Sequence, residues 1–421
     1  LLFAGAGPIG IEAALNLTRK GFHVTVIEKG SSVGANMEVW QNVALFSPNA
    51  LNCSPTGLDV LQEIGVAAPA PEQFFTGRQF IDGYLRPLET YLKDTGLCNI
   101  QYNTAVSSIT KTGMSKSSSI GNGAARAATK FLLLTKQDGE NESYLTFDAV
   151  IDASGTYNNP NNAGPGGIPA IGETKLRNHP AVSYYVATPP VTVDAASNIR
   201  PVAAVIGSGT SAITSLKRLA AAGYQVVWIT RRRKGAAPYT CIPGDPLPQR
   251  NELFVYGNSI AESAAEADAI RYRCDVDVTK FEEILGEGGS RKIALTLTKR
   301  PSEGAESEQG VLTSETLNFD YVFVNCGYRP DMSISRELQV HYCWASEGPM
   351  KLATALLAAS GAGSGDCLAQ KSPGVDVLKN PEPNFYVIGM KSYGRGNAFL
   401  MRIGYEQVQN TLILLTNDLS P

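Results

Sequence analysis

Apolar and polar positions along the chain form one pattern that occurs twice. In residues 1–30, LLFAGAGPIGIEAALNLTRKGFHVTVIEKG, a short β-rich run enters a glycine turn, small and apolar residues follow at i, i+3, i+4 spacing, and a glycine precedes a second β-branched run. Residues 202–233, VAAVIGSGTSAITSLKRLAAAGYQVVWITRRR, repeat this order, and a shift of 202 positions superposes Gly5 on Gly207. The pattern predicts two strand-helix-strand units of the same kind.

A second pair of similar segments follows the two units. Residues 148–155 and 320–327 each carry an aspartate seven positions before a glycine, across the pattern of a short buried strand. Because the second unit lies between these segments, we predict a first domain of residues 1–157 and 319–421, interrupted by a second domain of residues 158–318. The predicted fold class is α/β, with two Rossmann-like doubly wound domains.

The first glycine turn has the chemistry of a dinucleotide site. Gly5 permits a sharp turn, Gly7 lets a pyrophosphate approach the backbone, and Gly10 lets helix and strand pack closely. The helix N-terminus offers free N–H groups to phosphates. Glu28 lies 21 residues after Gly7, where a carboxylate accepts hydrogen bonds from ribose hydroxyls. The segment predicts an adenine dinucleotide site made of Gly5, Gly7, Pro8, Ile9, Gly10, Glu28 and Lys29, with a purely structural glycine turn as the alternative.

The second glycine turn ends differently. Its predicted binding residues are Gly207, Ser208, Gly209, Thr210 and Ser211, and Ala212 stands at the third glycine position. At the end of the following strand Thr230 replaces the acid, and Arg231 and Arg232 come next. Guanidinium groups bind a 2′-phosphate that a carboxylate would repel, so this site is predicted to prefer NADPH. The alternative is a solvated run of surface arginines.

Charge and rare residues exclude several classes of protein. Lysine plus arginine number 36 against 39 acidic residues, a net charge of −3, which gives no global positive field for nucleic acid or an anionic membrane. Apolar runs are too short to span a bilayer. The seven cysteines include no C-x-x-C or close pair, and the three histidines lie far apart, so we predict no metal site, disulfide scaffold or redox dithiol. Scattered reduced thiols favour a cytoplasmic location.

Three polar or small-residue stretches carry no predicted chemistry. Residues 115–129, 286–309 and 358–365 are expected to be exposed and mobile connections. The chain begins inside a predicted strand, so a targeting sequence is expected to be missing.

Four motifs in this order resemble the two-dinucleotide flavoproteins related to flavin-containing monooxygenases, and more loosely the pyridine nucleotide-disulfide reductases. They are G-x-G-x-x-G with Glu28, D-A-V-I-D-A-S-G-T-Y-N-N-P at 148–160, G-x-G-x-x-A with arginines, and N-C-G-Y-R-P-D at 325–331. The resemblance covers almost the whole chain and implies FAD in the first domain and NADP(H) in the inserted one. It adds Ser154, Gly155 and Gly327 to the predicted cofactor-binding residues.

The C-terminal region extends this resemblance. Residues 384–389, NFYVIG, are similar to a reductase strand that usually ends in Gly-Asp, with Met390 in place of the acid, so Gly389 joins the predicted cofactor residues. Residues 391–407 predict a glycine-rich turn followed by an amphipathic helix. In such flavoproteins a helix N-terminus stabilises the charge of reduced flavin, which adds Arg395 and Asn397. An ordinary capping loop is the alternative.

Candidate catalytic residues complete the prediction. Asn49 and Asn52 are candidates to hydrogen-bond a flavin peroxide or a substrate, and Lys391 is a third candidate; turn-forming asparagines and a buried Cys53 are the alternative. We expect an FAD- and NADPH-dependent oxidoreductase acting on a small molecule. The resemblance implies a monooxygenase that reacts with O₂ through a C4a-hydroperoxyflavin. Alternatives are a flavin reductase or dehydrogenase that serves a quinone or other small acceptor, and a non-catalytic nucleotide sensor. The sequence does not specify substrate or oligomeric state.

Overall fold

A computed structural model describes residues 1–191, 200–235, 237–263, 269–286, 289–301, 313–361 and 373–419. It forms two compact units. The first unit is Leu1–Asn159 with Tyr328–Pro421, and the second unit is Pro160–Gly327. Across the described ranges, no helix is both long enough and apolar enough to cross a membrane.

The strands and helices follow in chain order. The strands are β1 Leu2–Ala4, β2 Val24–Ile27, β3 Cys98–Gln101, β4 Thr104–Lys111, β5 Phe131–Gln137, β6 Asn141–Phe147, β7 Val150–Asp152, β8 Val182–Ser183, β9 Val202–Ile206, β10 Gln225–Ile229, β11 Ile270–Arg273, β12 Val276–Leu285, β13 Arg291–Lys299, β14 Ser314–Phe319, β15 Tyr321–Val324 and β16 Phe385–Val387. The helices are α1 Pro8–Thr18, α2 Ala35–Glu38, α3 Asn49–Asn52, α4 Pro55–Glu63, α5 Gly77–Phe80, α6 Arg86–Asp94, α7 Gly123–Ala127, α8 Glu173–Leu176, α9 Thr210–Ala221, α10 Pro248–Glu262, α11 Met350–Gly361 and α12 Met401–Leu419.

A parallel sheet forms the centre of the first unit. Its strand order is β16-β7-β1-β2-β3, and Phe3 of β1 pairs with Ile151 on one side and Val26 on the other. All three side chains are buried, as expected for a parallel strand covered on both faces. Helices α1, α6 and α12 contribute Leu15, Leu88 and other apolar side chains to the core. A separate antiparallel sheet, β4-β5-β6, leads into β7.

The second unit repeats this arrangement. Its parallel sheet has the order β11-β10-β9-β15-β8, and the antiparallel sheet β12-β13-β14 leads into β15. Strand β15 therefore corresponds to β7, and β9 to β1, as the similarity of residues 148–155 and 320–327 predicts. The prediction of an α/β fold with two parallel sheets is confirmed.

One predicted boundary needs a correction. Residue 319 was expected to return the chain to the first domain, but β15 pairs in parallel with β9 and belongs to the second sheet. The chain returns to the first unit only at Tyr328. Local pattern identified the strand, whereas the sheet to which it belongs depends on its pairing partner.

The polar stretch 115–129 is also more ordered than predicted. It contains α7, and Arg126 on this helix is only 1% exposed in its side chain. The Arg126 guanidinium donates to both carboxylate oxygens of Glu382, at 2.9 Å and 2.6 Å. This buried ion pair anchors the stretch to the segment before β16. The prediction for 286–309 is wrong over β13, where Ile293 and Leu295 are buried because the strand pairs on both sides. Residues 287–288, 302–309 and 362–365 of the other two stretches lie outside the described residues.

Candidate dinucleotide sites

Gly5 and Gly10 make the first turn possible because neighbouring backbone leaves no room for a side chain. Gly5 has φ +105°, and a Cβ there would lie 2.9 Å from the Ala153 carbonyl oxygen. A Cβ on Gly10 would lie 1.9 Å from the Gly5 carbonyl oxygen. Gly7, the N-cap residue of α1, is different, because a Cβ on it would meet no heavy atom within 4 Å. The turn is thus tightly packed inside and open at Gly7, where a phosphate would approach the first N–H groups of α1.

Glu28 lies directly after β2 and ties the turn to the strand end. Its two carboxylate oxygens accept hydrogen bonds from the Ala6 and Gly30 N–H groups, each at 2.7 Å. The side chain is half-buried, and Lys29 beside it is exposed. A carboxylate oxygen has lone pairs for more than one hydrogen bond. Glu28 therefore keeps acceptor capacity for ribose hydroxyls while it stabilises the turn.

A buried ion pair lies at the carboxyl end of β7. The Lys391 ammonium contacts Asp152 Oδ2 at 2.6 Å, and Asp152 Oδ1 accepts from the Ser154 hydroxyl at 2.6 Å. Lys391 also donates to Ser154 Oγ at 3.0 Å. Gly155 follows with φ +69° and open space at its Cβ position. The predicted residues Ser154, Gly155 and Lys391 thus lie together. Asp152 was missed, although an acid inside an apolar strand pattern was the signal for it.

The segment after β16 departs from the prediction. Gly389 has φ +72° and donates its N–H to Gln407 Oε1 at 2.8 Å, which links this turn to α12. Helix α12 begins only at Met401, so Arg395 and Asn397 precede it and do not form its first turn. Both side chains are exposed, and Arg395 pairs with Glu347 at 3.0 Å. The apolar positions of 391–407 predicted a helix but did not fix its first residue.

The two candidate asparagines have different surroundings. The Asn52 side chain is fully engaged with Ser47, accepting from its hydroxyl at 2.7 Å and donating to its carbonyl at 2.8 Å. This geometry favours the alternative in which Asn52 forms a turn. Asn49 donates to the Ala70 carbonyl at 3.1 Å, and its buried Oδ1 has no partner among the residues that the structure describes. A catalytic role for Asn49, Asn52 or Lys391 stays a prediction.

The turn of the second unit has the same construction. Gly207 has φ +131°, and a Cβ there would lie 2.2 Å from the Asn325 carbonyl oxygen, the counterpart of Ala153. Gly209, the N-cap residue of α9, again has open space at its Cβ position. Ser208, Thr210 and Ser211 beside it are half-buried. Gly327 after β15 has φ +82°, and its carbonyl accepts from the Asn161 N–H at 2.9 Å.

The carboxyl end of β10 presents two exposed cations. Thr230 is buried, with its hydroxyl 3.0 Å from that of Tyr272, whereas Arg231 and Arg232 reach solvent. Within the described ranges, no carboxylate forms an ion pair with either arginine. Arg233, in contrast, pairs with Asp275 at 2.7 Å. Arg231 and Arg232 are therefore the guanidinium groups that remain for a phosphate.

Neither thiols nor metal ligands form a further site among the residues that the structure describes. The described cysteines are all free, and Cys367 lies outside the described residues. Burial raises the pKa of the Cys53 thiol to about 12, so it stays protonated at neutral pH. No cluster of potential metal ligands occurs in the described part of the chain.

Comparisons with known proteins agree with this architecture. Residues 4–57 match the family model described as NAD(P)-binding Rossmann-like domain. No curated protein matches the sequence. Among solved structures, the bacillithiol disulfide reductase Bdr (YpdA) from Bacillus cereus is 17% identical, with 100% of this chain and 98% of that chain covered and a TM-score of 0.65. The ornithine hydroxylase PvdA from Pseudomonas aeruginosa is 14% identical, with 100% and 99% covered and a TM-score of 0.58. The thioredoxin reductase from T. acidophilum is 16% identical, with 100% and 98% covered and a TM-score of 0.57.

These similarities define the class to which the fold belongs. The chain shares the fold of these two reductases and this hydroxylase, which confirms the predicted α/β fold class with Rossmann-like domains. Disulfide reductases and a hydroxylase share this fold, so the fold does not distinguish between their reactions.

Proposed function

We propose that this protein is an FAD-containing oxidoreductase that oxidises NADPH. The observation that carries the proposal is one glycine turn built twice with opposite charge at the end of the following strand. In the first unit this place holds Glu28, whose carboxylate suits the ribose hydroxyls of FAD. In the second unit it holds the exposed Arg231 and Arg232, which suit the 2′-phosphate of NADPH.

The residues of each turn fit the dinucleotide proposed for it. Open space at Gly7 and at Gly209 lets a diphosphate reach the backbone, and α1 and α9 both begin there with N–H groups that lack a side-chain cap. FAD, when bound, supplies a ring that accepts hydride from the nicotinamide and passes electrons to an acceptor. The protein residues bind and orient the two dinucleotides.

As the acceptor we propose O₂: one oxygen atom is transferred to a small-molecule substrate and the other is released as water, with the two electrons supplied by NADPH, so that the enzyme is a monooxygenase. The surroundings of Cys53 support this choice, because burial raises its pKa to about 12 and it forms no disulfide with any of the described cysteines. Electron transfer from the flavin through a redox pair of cysteine thiols therefore has little support. The occurrence of the same fold in ornithine hydroxylase agrees with the proposal.

A second candidate is a reductase that passes electrons to a small acceptor such as a quinone. The observation in its favour is the TM-score of 0.65 with the bacillithiol disulfide reductase, against 0.58 with the ornithine hydroxylase. Cys53→Ser tests whether a thiol takes part. If Cys53 is only a packed side chain, NADPH oxidation remains within about twofold of wild type, because the substitution changes one buried atom.

The visible spectrum of the purified protein tests the proposal. The expected result is a yellow protein whose flavin absorption is bleached by NADPH without oxygen, and more slowly by NADH. Admission of ¹⁸O₂ with substrate candidates then distinguishes the two acceptors, because only a monooxygenase incorporates the label. A protein that binds no flavin, or a flavin that NADPH does not reduce, contradicts the proposal and favours a nucleotide sensor in the second case.

A further inference from the structure

The ion pair of Asp152 and Lys391 is isolated from water inside the first unit. The Lys391 side chain is 2% exposed and that of Asp152 is 0% exposed, and the two charged groups are 2.6 Å apart. The Ser154 hydroxyl bridges them, because it donates to Asp152 Oδ1 and accepts from the Lys391 ammonium. The backbone N–H of Ser154 also donates to Asp152 Oδ1, at 3.1 Å. The pair thus fixes both the backbone and the side chain of Ser154.

The pair lies at the edge of the sheet where ligands bind in this kind of fold. Asp152 ends β7, and Lys391 follows the neighbouring parallel strand β16 in the turn Gly389–Tyr393. In open parallel sheets, ligands occupy the crevice outside the carboxyl ends of the strands. The Ser154 Cα is 3.0 Å from the position of a Cβ on Gly5, so the residues that the pair orders contact the dinucleotide turn.

The second unit shows that this fold can form without a charged side chain at the position of Asp152. Ala4 pairs with Asp152, and the corresponding Ile206 pairs with Val324, which is buried. The residue after each of these positions donates its N–H to the corresponding carbonyl: Ala153 donates to Ala4 in the first unit, and Asn325 donates to Ile206 in the second. The same backbone therefore forms around an apolar side chain. Because removing two charges from water has a large desolvation penalty, a buried pair gives little net stability over such an apolar packing.

We propose that Asp152 and Lys391 are positioning residues for the flavin: together they hold Ser154, Gly155 and the turn Gly389–Tyr393 in the geometry that binds FAD. The inference rests on the proposed function, since it takes FAD as the ligand of the first unit. It assigns to Lys391 a positioning role in place of the predicted catalytic one, and it adds Asp152 to the site.

In the double variant, Asp152→Val introduces the residue type that Val324 provides in the second unit, and Lys391→Met removes the ammonium group that would otherwise lose its partner. The expected variant folds with a melting temperature close to that of wild type once FAD is removed, but releases FAD from the holoenzyme at least about tenfold more readily, as the loss of positioned hydrogen bonds predicts. Flavin fluorescence on dilution measures this release. The absorption bands of the flavin that remains bound are expected to shift, which a purely structural pair would not cause.

Arg126 and Glu382 provide a matched control, because they form another buried ion pair in the same unit at the amino end of β16. Arg126→Met with Glu382→Leu is expected to leave FAD release within about twofold of wild type, since it changes no group at the carboxyl ends. Equal FAD loss from both double variants overturns the inference, because it would be a general effect of removing buried charge.

Two single variants keep the inference testable if the first double variant does not fold. Ser154→Ala retains the ion pair but removes the bridging hydroxyl, and it is expected to release FAD several-fold more readily at unchanged melting temperature. Lys391→Arg keeps the positive charge beside Asp152 and is expected to retain most of the wild-type affinity for FAD. Unchanged FAD release in Ser154→Ala, or in the Asp152→Val, Lys391→Met variant, overturns the inference. In that case the proposed function still holds if NADPH reduces the flavin of the wild-type protein. A wild-type protein that binds no FAD contradicts both the proposed function and this inference.

Discussion

The two units use the same backbone turn and surround it with different chemistry. Gly5 donates its N–H to the Ile27 carbonyl, and Gly207 donates to the corresponding Ile229, at 2.8 Å and 3.0 Å. Around this frame the first unit has a backbone-bound Glu28 and a buried ion pair, whereas the second has Val324 and exposed arginines. The glycines and apolar strands thus determine the turn, and a few polar side chains determine which ligand suits it.

The third glycine position separates the two units further. Gly10 has no space for a Cβ, but the second unit accommodates Ala212 in a fully buried position. The first helix therefore lies against its own turn more tightly than the second unit requires. Each of the following substitutions changes one unit and leaves the other as its reference.

Gly10→Ala is expected to have the largest effect. Its Cβ would lie 1.9 Å from the Gly5 carbonyl oxygen, so we expect a loss of about 2–3 kcal/mol in the free energy of unfolding, together with loss of FAD. Urea unfolding and the flavin content of the purified protein measure the two effects. Ala212→Gly is the control, expected to cost about 0.5–1 kcal/mol and to leave FAD bound. A Gly10→Ala protein of normal stability would mean that α1 can shift away from the turn.

Replacing both Arg231 and Arg232 by Ala tests the charge difference between the units. The ratio of kcat/KM for NADPH to that for NADH is expected to fall roughly tenfold to a hundredfold, because charge-assisted hydrogen bonds to the 2′-phosphate are lost. Stopped-flow reduction of the flavin by each nucleotide measures the ratio. Arg233→Ala is the matched control, since Arg233 already pairs with Asp275, and should change the ratio far less. An unchanged ratio in the double variant contradicts the NADPH assignment.

Gly7→Ala and Gly209→Ala test whether each open turn serves its own ligand. Neither Cβ would meet a heavy atom within 4 Å, and both residues have negative φ, so the stability of the ligand-free protein is expected to stay within about 0.5 kcal/mol of wild type. Gly7→Ala should weaken FAD binding about tenfold and Gly209→Ala should weaken NADPH binding by a similar factor. If both variants affect the same ligand, the assignment of one dinucleotide to each unit is wrong.

Glu12→Gln is expected to have the smallest effect and concerns the helices behind the turns. Burial raises the pKa of Glu12 on α1, although Ser54 and Asn16 donate hydrogen bonds to its carboxylate; the corresponding residue on α9 is Thr214. A raised pKa in the folded state means that Glu12 favours folding in acid, below its ordinary pKa, and that this contribution is lost as pH rises through the raised value. The stability of Glu12→Gln relative to wild type should therefore increase with pH across that window. Urea unfolding at several pH values measures it, and parallel curves would contradict the raised pKa.

The sequence by itself determined the features that depend on local pattern. The repeated glycine spacing and the 3.6-residue period predicted both turns, both first helices and the parallel sheets, because backbone geometry and steric limits act within a few residues. The charges after β2 and β10 were equally readable, since a residue that follows a strand end by one or two positions has little freedom in where it lies. Helix α12 was predicted, but not its start at Met401.

Only the tertiary structure decided which distant side chains meet. Asp152 and Lys391 are 239 positions apart, and Arg126 and Glu382 are 256 apart, so no periodicity connects them. The same applies to β15, whose sheet depends on pairing with β9, and to Asn52, whose amide is occupied by Ser47. The chemical groups of a side chain are given by the sequence, but its burial and its partners are set by the packing of the whole unit. Burial and partners decide whether the side chain binds a ligand, positions another residue or has only a structural role.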